Sequence, residues 1–263
     1  MADFLLRPPA ETDLPEITDC WQRSFGDPPE LIRALLDTGE LLSCAMAAEQ
    51  DGQLCSVMFA FDGLVFDGIP AAYLYALCTH PDARGQGMGR AVLRGLTAAC
   101  FDRGAELVFL SPADPGLAEW YRSMGMHSAP RQCGSARHAE PDGTSSLSAI
   151  TAEDYAALRR SPIVLPLRLL RAQELLSRQS GGGYFRVQSG GETAVLCAEP
   201  EADQLRIREL CCLPQHRAAV LSAAAAAFQR RAFSPEPCDF VYIMKDPDAL
   251  PPAALSDFSF VLD

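Results

Sequence analysis

Residues 80–96 read HPDARGQGMGRAVLRGL. Gly85, Gly87 and Gly89 alternate between Arg84 and Arg90, and an apolar run with helical spacing starts directly behind them. The stretch in front, residues 71–79, reads as a strand. A strand, a turn with little side chain and a helix start together gather backbone N–H groups that the helix itself cannot satisfy. With the positive end of the helix dipole they make an anion site, suited to phosphate or pyrophosphate. Glycine lets the backbone approach such a ligand and take positive φ, and the two arginines add charge. A purely architectural reading, a sharp turn with close helix packing, explains less, because three glycines between arginines exceed what packing needs. A Walker loop requires a lysine followed by Ser or Thr, and this stretch has no lysine. The dinucleotide fingerprint GxGxxG fails too: counted from Gly85 the sixth position is Arg90, and the strand in front ends a meander instead of opening a βαβ unit.

Outward from the turn, the spacing predicts an α/β chain. On its N-terminal side, FLLRPPAETDLPEITDCWQRSF gives a short strand and a helix with Leu14, Ile17, Cys20, Trp21 and Phe25 on its apolar face. A second helix follows over PPELIRALLDTG, with proline at its start and Gly39 at its end. Asp51-Gly52, Asp62-Gly63 and Asp67-Gly68 then punctuate apolar runs as hairpin turns do, which predicts an antiparallel meander of three strands. Behind the turn, a helix places Val92, Leu93, Leu96 and Cys100 on one face before Gly104, AELVFLSP is a buried strand, and a short helix starts after Asp114. Residues 127–149 are polar, with room for edge strands. From AITAEDYAALRRS onward the style of the first segment repeats, with Thr151 as N-cap, then hairpin strands, a strand ending near Pro214, an alanine-rich helix and the strand CDFVYIM. The order of elements matches the first half, so the expectation is a duplicated architecture cut at residues 145/146, the plainer alternative being one α+β domain with a helical and stranded extension.

Charge narrows the partners. The net charge is −12, and nucleic-acid affinity comes largely from lysine and arginine neutralising phosphates, so DNA and RNA are excluded as partners. No apolar run reaches the roughly 18 residues a membrane helix needs, and the first residues lack a basic region and an apolar signal core, so the expected address is the cytoplasm and no membrane. The 10 cysteines are scattered without a CxxC pair, which reads as buried small hydrophobes in place of a disulfide framework. None of the four histidines, His80, His127, His138 and His216, stands at ligand spacing, so no metal is expected.

The chain resembles the GNAT acyltransferases, whose central motif runs apolar-x-Val-x-Pro-x-x-Arg-x-x-Gly-x-Gly. Here Leu77, Cys78, Thr79, His80, Pro81, Asp82, Ala83, Arg84, Gly85, Gln86, Gly87, Met88 and Gly89 stand at those positions, with Thr79 where valine is usual. The resemblance implies the GNAT fold, a mixed, mostly antiparallel sheet flanked by helices, and acetyl-CoA as cosubstrate. By position it implies that the backbone of Arg84, Gly85, Gln86, Gly87, Met88, Gly89 and Arg90 holds the pyrophosphate, and that Leu77, Cys78 and Thr79 pair with the pantetheine arm and the acyl carbonyl. A second GNAT signature falls on DPGLAEWYRSMGM, with Tyr121 and Gly125 in register, Asp114 in place of an asparagine and Met126 in place of a phenylalanine. Asp114 therefore stands where the family contacts the pantetheine, though a carboxylate can accept but not donate the bond.

Tyr121 is the candidate general acid: a phenol at hydrogen-bond distance can protonate the thiolate expelled from a tetrahedral intermediate. Its plain reading is a core aromatic beside Trp120. The resemblance implies a backbone N–H near Cys78 as the oxyanion donor, since the family opens its strands there and frees one, whereas no histidine or lysine pattern around Cys78 would activate its thiol as a nucleophile. Tyr73, Tyr75, Glu40 and Glu119 are candidate bases that spacing does not separate. In the second half, Gln215, His216, Arg217 and Ala218 stand where the glycine turn would be, so residues 146–263 read as a degenerate, non-catalytic GNAT-like unit serving the acceptor pocket or a homodimer surface. The expected activity of residues 1–145 is direct acetyl transfer to a small-molecule or peptide amine, a cationic one suiting the net charge of −10 in that half. The competing reading is an acyl-CoA sensor or scaffold that keeps the fold without catalysis.

Overall fold

The structure is a computed structural model that describes residues 3–129, 146–189, 191–202, 204–229, 231–233 and 240–257. Its first elements are β1 (Leu5–Arg7), α1 (Leu14–Phe25), α2 (Pro29–Thr38), β2 (Ala45–Gln50), β3 (Gln53–Phe66), β4 (Ile69–Thr79), α3 (Met88–Asp102), β5 (Leu107–Leu110), α4 (Pro115–Arg122) and β6 (His127–Ala129). They are followed by β7 (Ser146–Ile150), α5 (Ala152–Leu158), β8 (Ile163–Val164), α6 (Leu167–Gln179), β9 (Gly183–Ser189), β10 (Glu192–Glu201), β11 (Gln204–Cys211), α7 (Arg217–Phe228), β12 (Arg231–Phe233) and β13 (Phe240–Met244). No helix among the described residues is long and apolar enough to cross a membrane.

Two of the three Asp-Gly pairs make the turns the sequence predicts. Asp51 and Gly52, and again Asp67 and Gly68, all take positive φ and join β2 to β3 and β3 to β4, the backbone that a right-twisted hairpin requires. Asp62-Gly63 behaves differently. It lies inside β3, where the pairing with β4 jumps from Phe61↔Tyr73 to Leu64↔Ala71 and Gly63 has φ 83°. A glycine in the left-handed region serves a bulge as well as a turn, and the apolar residues on both sides keep the strand running.

The chain divides into two units, Met1–Ala129 with Asp239–Pro252, and Pro130–Cys238 with Ala253–Asp263. Residues 130–145, which lead to the expected cut at 145/146, lie outside the described residues, but edge strands expected over 127–149 are present on either side of them: β6 ends the first sheet and β7 ends the second. The strand CDFVYIM, read from sequence as part of the second half, belongs to the first sheet. That sheet runs β1-β2-β3-β4-β5-β13-β6, with β13 antiparallel to both neighbours (Val241↔Leu110, Phe240↔Ala129). The reason is burial: Leu107, Val108, Phe109 and Leu110 of β5 are all buried, as are Phe240 and Val241, and an apolar strand with its outer edge open would leave unpaired backbone groups.

One face of the first sheet packs on α3 through Val92, Leu93, Leu96 and Cys100, the four residues expected. On the other face α1 buries Ile17, Cys20 and Trp21, with Trp21 5.5 Å from the ring of Phe59 and 5.7 Å from that of Tyr75. Phe25, expected on the same apolar face, is 49% exposed at the end of the helix. The second sheet runs β7-β9-β10-β11-β12. It repeats β1-β2-β3-β4-β5 strand for strand: four strands antiparallel in turn, then one parallel pair, β4–β5 in the first sheet and β11–β12 in the second. The mixed, mostly antiparallel sheet flanked by helices is thus present twice.

Candidate functional site

In the first unit β4 and β5 pair only over Ala71–Tyr73 and Leu107–Phe109. Beyond Tyr73, β4 runs on to Thr79 while β5 stops at Leu110, so residues 74–79 have no partner strand on that side among the described residues. Within them Ala76 has φ 52°, and the register with β3 passes from Phe59↔Tyr75 to Val57↔Cys78, which sets Ala76 and Leu77 against Met58 alone. This is a bulge. It turns backbone groups out of the ladder and leaves them available to a ligand lying along the open edge.

At the end of β4 a 3₁₀ turn, Pro81–Ala83, leads into the glycine stretch, where Gly85 (φ 77°) and Gly87 (φ 90°) are left-handed. Gly89 is used for a different reason: its φ is ordinary, but a Cβ there would stand 3.2 Å from Thr79 Oγ1, so glycine lets α3 begin hard against β4. The first bond of α3 runs from Ala91 N–H to Gly87 O at 3.0 Å, which leaves the N–H groups of Met88, Gly89 and Arg90 without an acceptor in the helix. Arg84 and Arg90 are exposed beside these donors, and Arg84 Nε donates to Thr79 O at 3.2 Å. Gln86 Nε2 reaches back to Asp82 O, 3.2 Å away. Met88 contributes backbone alone, since its side chain is buried in the core under α3.

Side chains alternate along β4. Leu77 packs toward α3 in the apolar cluster that also holds Met88 and Tyr121, which brings these three predicted residues onto one face. Cys78 points the other way. Its thiol donates to Val57 O, 3.7 Å away, and hydrogen bonding to the Cys20 thiol together with burial holds it well above the ordinary thiol range. It offers the site its backbone and no thiolate. Thr79 Oγ1 lies 2.8 Å from Ser56 Oγ, which donates to Cys78 O at 3.0 Å; Ser56, fully buried, fixes the strand end and was not singled out by sequence, because a lone serine in a strand carries no pattern.

Tyr121 is 7% exposed on α4, and burial pushes its phenol up to about 12. Its ring meets Trp120 edge-on at 4.9 Å, and its hydroxyl has no hydrogen-bond partner among the described residues. Asp114 is the N-cap of α4, accepting from Leu117 N–H at 2.9 Å, so one oxygen is already committed to the helix. Of the candidate bases, Tyr73 sits in the aromatic core, Glu119 is an exposed partner of Arg122 and Glu40 occupies an exposed turn. Tyr75 is half-buried against Trp21. Among the described residues no group of three or more His, Cys, Asp or Glu is placed to hold a metal ion.

The open strand edge, the bulge and the glycine turn fall within a stretch of known type: residues 6–129 match the model of the acetyltransferase (GNAT) domain. Residues 6–129 belong to the GNAT acetyltransferase family. Among solved structures the chain is similar to a GCN5-related N-acetyltransferase from Kribbella flavida (TM-score 0.68, 18% identity, 93% of this chain and 71% of that one). It is also similar to a conserved protein from Enterococcus faecalis (0.67, 14%, 94% and 74%) and to a GCN5-related N-acetyltransferase from Anabaena variabilis (0.65, 13%, 92% and 73%). At such identities the likeness is one of fold, and it extends over residues of both units. No curated protein matches the chain by sequence.

At the corresponding place after β11, the described residues of the second unit hold no glycine turn. Its 3₁₀ turn, Pro214–His216, passes directly into α7 at Arg217. Its sheet carries instead a buried polar network: Glu199 accepts from Arg208 Nε at 2.7 Å, Ser177 Oγ at 2.6 Å and Gln173 Nε2 at 3.0 Å, with all four side chains buried.

Proposed function

We propose that the first unit binds acyl-CoA and transfers the acyl group, acetyl in the simplest case, to an amine acceptor within a ternary complex. The observation that carries this reading is the glycine turn: left-handed Gly85 and Gly87 precede three N–H groups with no acceptor in the helix, beside Arg84 and Arg90. This suits a pyrophosphate. The open edge of β4 from Leu74 to Thr79 would pair with the pantetheine arm, and a backbone N–H of the bulged segment at Leu77 and Cys78 would meet the oxygen that becomes negative as the amine adds. A C–N bond then forms, the C–S bond breaks, and Tyr121 gives its proton to the departing sulfur. A phenol held near 12 is fully protonated at neutral pH, as a proton donor must be. The proton lost by the amine restores Tyr121 through solvent.

The buried, hydrogen-bonded Cys78 thiol argues for direct transfer over an acyl-cysteine intermediate. The acidic character of residues 1–145 favours a cationic amine, and the eight free thiols among the described residues suit a reducing, cytoplasmic setting. The second unit is catalytically silent on this reading, since it has no turn to cradle the phosphates. Calorimetric titration with acetyl-CoA tests the proposal on the wild type and on Gly87→Trp. Binding by the wild type that is lost in the variant supports it, and a panel of amines then asks for turnover. Absence of binding by the wild type removes the transferase reading.

A further inference from the structure

Resting on the acyl-CoA reading, we infer that Arg94 recognises a third phosphate, the one on the ribose of the cosubstrate, and so makes the site selective for coenzyme A over its 3′-dephospho form. The evidence is a contrast among arginines. Residues 3–129 contain eight. Five of them lie within ion-pair distance of a carboxylate: Arg7 of Asp13 and Glu49, Arg23 of Asp19, Arg33 of Asp37, Arg103 of Asp62 and Arg122 of Glu119. Arg84, Arg90 and Arg94 have no carboxylate partner among the described residues, in a half of the chain that carries twice as many acidic as basic side chains.

Position sharpens the contrast. The three unpaired guanidiniums are consecutive arginines at the glycine turn and the start of α3, and Arg103 at the far end of the same region is paired with Asp62. Arg90 and Arg94 are one helical turn apart, about 6 Å along the axis, and both are exposed. Two phosphates of a pyrophosphate occupy the helix start with Arg84 and Arg90; Arg94 is one turn too far along to be needed there. Next to it opens a groove of about 180 Å³, lined by Leu93, Thr97, Phe101, Met124 and Met126 as well as Arg94 itself. An apolar groove with a ring and two thioethers at its wall and a guanidinium at its rim suits a flat base bearing a phosphorylated sugar. Nothing in the pyrophosphate argument requires either the groove or Arg94.

The test is isothermal titration of the full chain with coenzyme A and with 3′-dephospho-coenzyme A, at low and at raised ionic strength. The wild type should prefer coenzyme A by about fivefold at low salt, the upper range for an exposed ion pair, and the preference should shrink as salt screens it. Arg94→Gln should bind the two ligands alike with an unchanged melting temperature, Arg94→Lys should keep part of the preference, and Arg33→Gln, which removes a paired arginine, should keep all of it. Equal binding of both ligands by the wild type overturns the inference and leaves the acyl-CoA reading standing, and so does a preference that survives in Arg94→Gln. Failure of the wild type to bind coenzyme A at all overturns both.

Discussion

β4 and β11 each deliver the chain to a proline-led 3₁₀ turn and then to a helix that packs on the sheet, yet residues 84–87 separate turn from helix in the first unit and nothing does in the second. The same topology is therefore closed with and without the glycine segment. The second unit is an internal control: if a strand, a 3₁₀ turn and a helix can be joined without those residues, architecture does not explain them, and what remains is Arg84 and the left-handed backbone that opens the approach to the N–H groups of Met88, Gly89 and Arg90. The two units also differ in what fills them. Beneath α3 the first unit packs Val92, Leu93, Leu96 and Cys100 in an apolar cluster, with the hydroxyls of Thr79 and Ser56 at the helix start, whereas the second holds the charged pair Glu199 and Arg208 inside, an arrangement that contributes stability only while every partner is present.

Deleting residues 84–87, which gives the first unit the connection of the second, should have the largest effect: acetyl-CoA binding should fall by at least about 10³-fold in calorimetry, since Arg84 goes together with the left-handed Gly85 and Gly87 that open the approach to the N–H groups of Met88, Gly89 and Arg90. Circular dichroism should still report a folded protein. Retained binding would break the comparison, because the segment would then be dispensable to ligand and fold alike. The converse substitution lies in the other unit. Glu199→Ala strands the guanidinium of Arg208 in the interior and should cost about 3–5 kcal/mol in chemical denaturation, while acetyl-CoA affinity of the fraction that remains folded stays at the wild-type value. A parallel loss of affinity would mean that the second unit is no bystander.

What the sequence made legible follows from how local the signal is. The glycine turn, the caps at Asp114 and Thr151 and the apolar face of α3 are decided within a few residues of chain, and they stand where the spacing puts them. Asp62-Gly63 was misread because a left-handed pair serves bulge and turn equally, and only the partner strand distinguishes them. The placement of β13 in the first sheet, and the pairing of Glu199 with Arg208 and of Glu209 with Arg159 and Tyr155, join residues far apart in sequence and have no periodicity to betray them. Helix α6 escaped the reading because its face toward the sheet includes Gln173 and Ser177, so its apolar stripe is broken by the very residues that bond Glu199. The bulge at Ala76 is invisible for a simpler reason: alanine at positive φ is enforced by the sheet around it.

Tyr121→Phe sharpens the comparison chemically. It removes one oxygen from the unit that is proposed to react, and should lower kcat by about 10²-fold, the low end for a general acid, with KM for acetyl-CoA unchanged. The pH dependence has a definite sign. Because burial raises the phenol from its ordinary value to about 12, the acid stays protonated well above pH 10, so wild-type kcat should show no descending limb from this group up to that pH. The same shift makes a stability statement: the raised value means the folded state favours the neutral phenol, so this contribution is complete below about pH 10 and is lost as pH rises toward 12. Thermal melts between pH 9 and pH 12 should therefore fall less steeply for Tyr121→Phe than for the wild type. A variant that loses affinity and rate together would assign Tyr121 to the cofactor cleft alone.

The smallest effects separate two uses of glycine within one turn. Gly87 has φ 90° with nothing within 4 Å of a Cβ, whereas Gly89 has ordinary φ and a neighbour, Thr79 Oγ1, at 3.2 Å. An alanine at 87 meets no atom but must hold a left-handed backbone, at a cost of about 1–2 kcal/mol, and the turn can relax by losing the shape that gathers the N–H groups. Acetyl-CoA affinity should drop about tenfold. An alanine at 89 adopts the helix readily and gains helix propensity over glycine, but it pushes Thr79 by a few tenths of an ångström, so its effect should stay within about threefold and should vanish in the double variant with Thr79→Ala. Were Gly89→Ala the more damaging of the two, close packing of α3 on β4 would matter more to the ligand than the left-handed backbone. The difference between the units would then trace to how near the helix stands to the strand, and no longer to the donors exposed at its start.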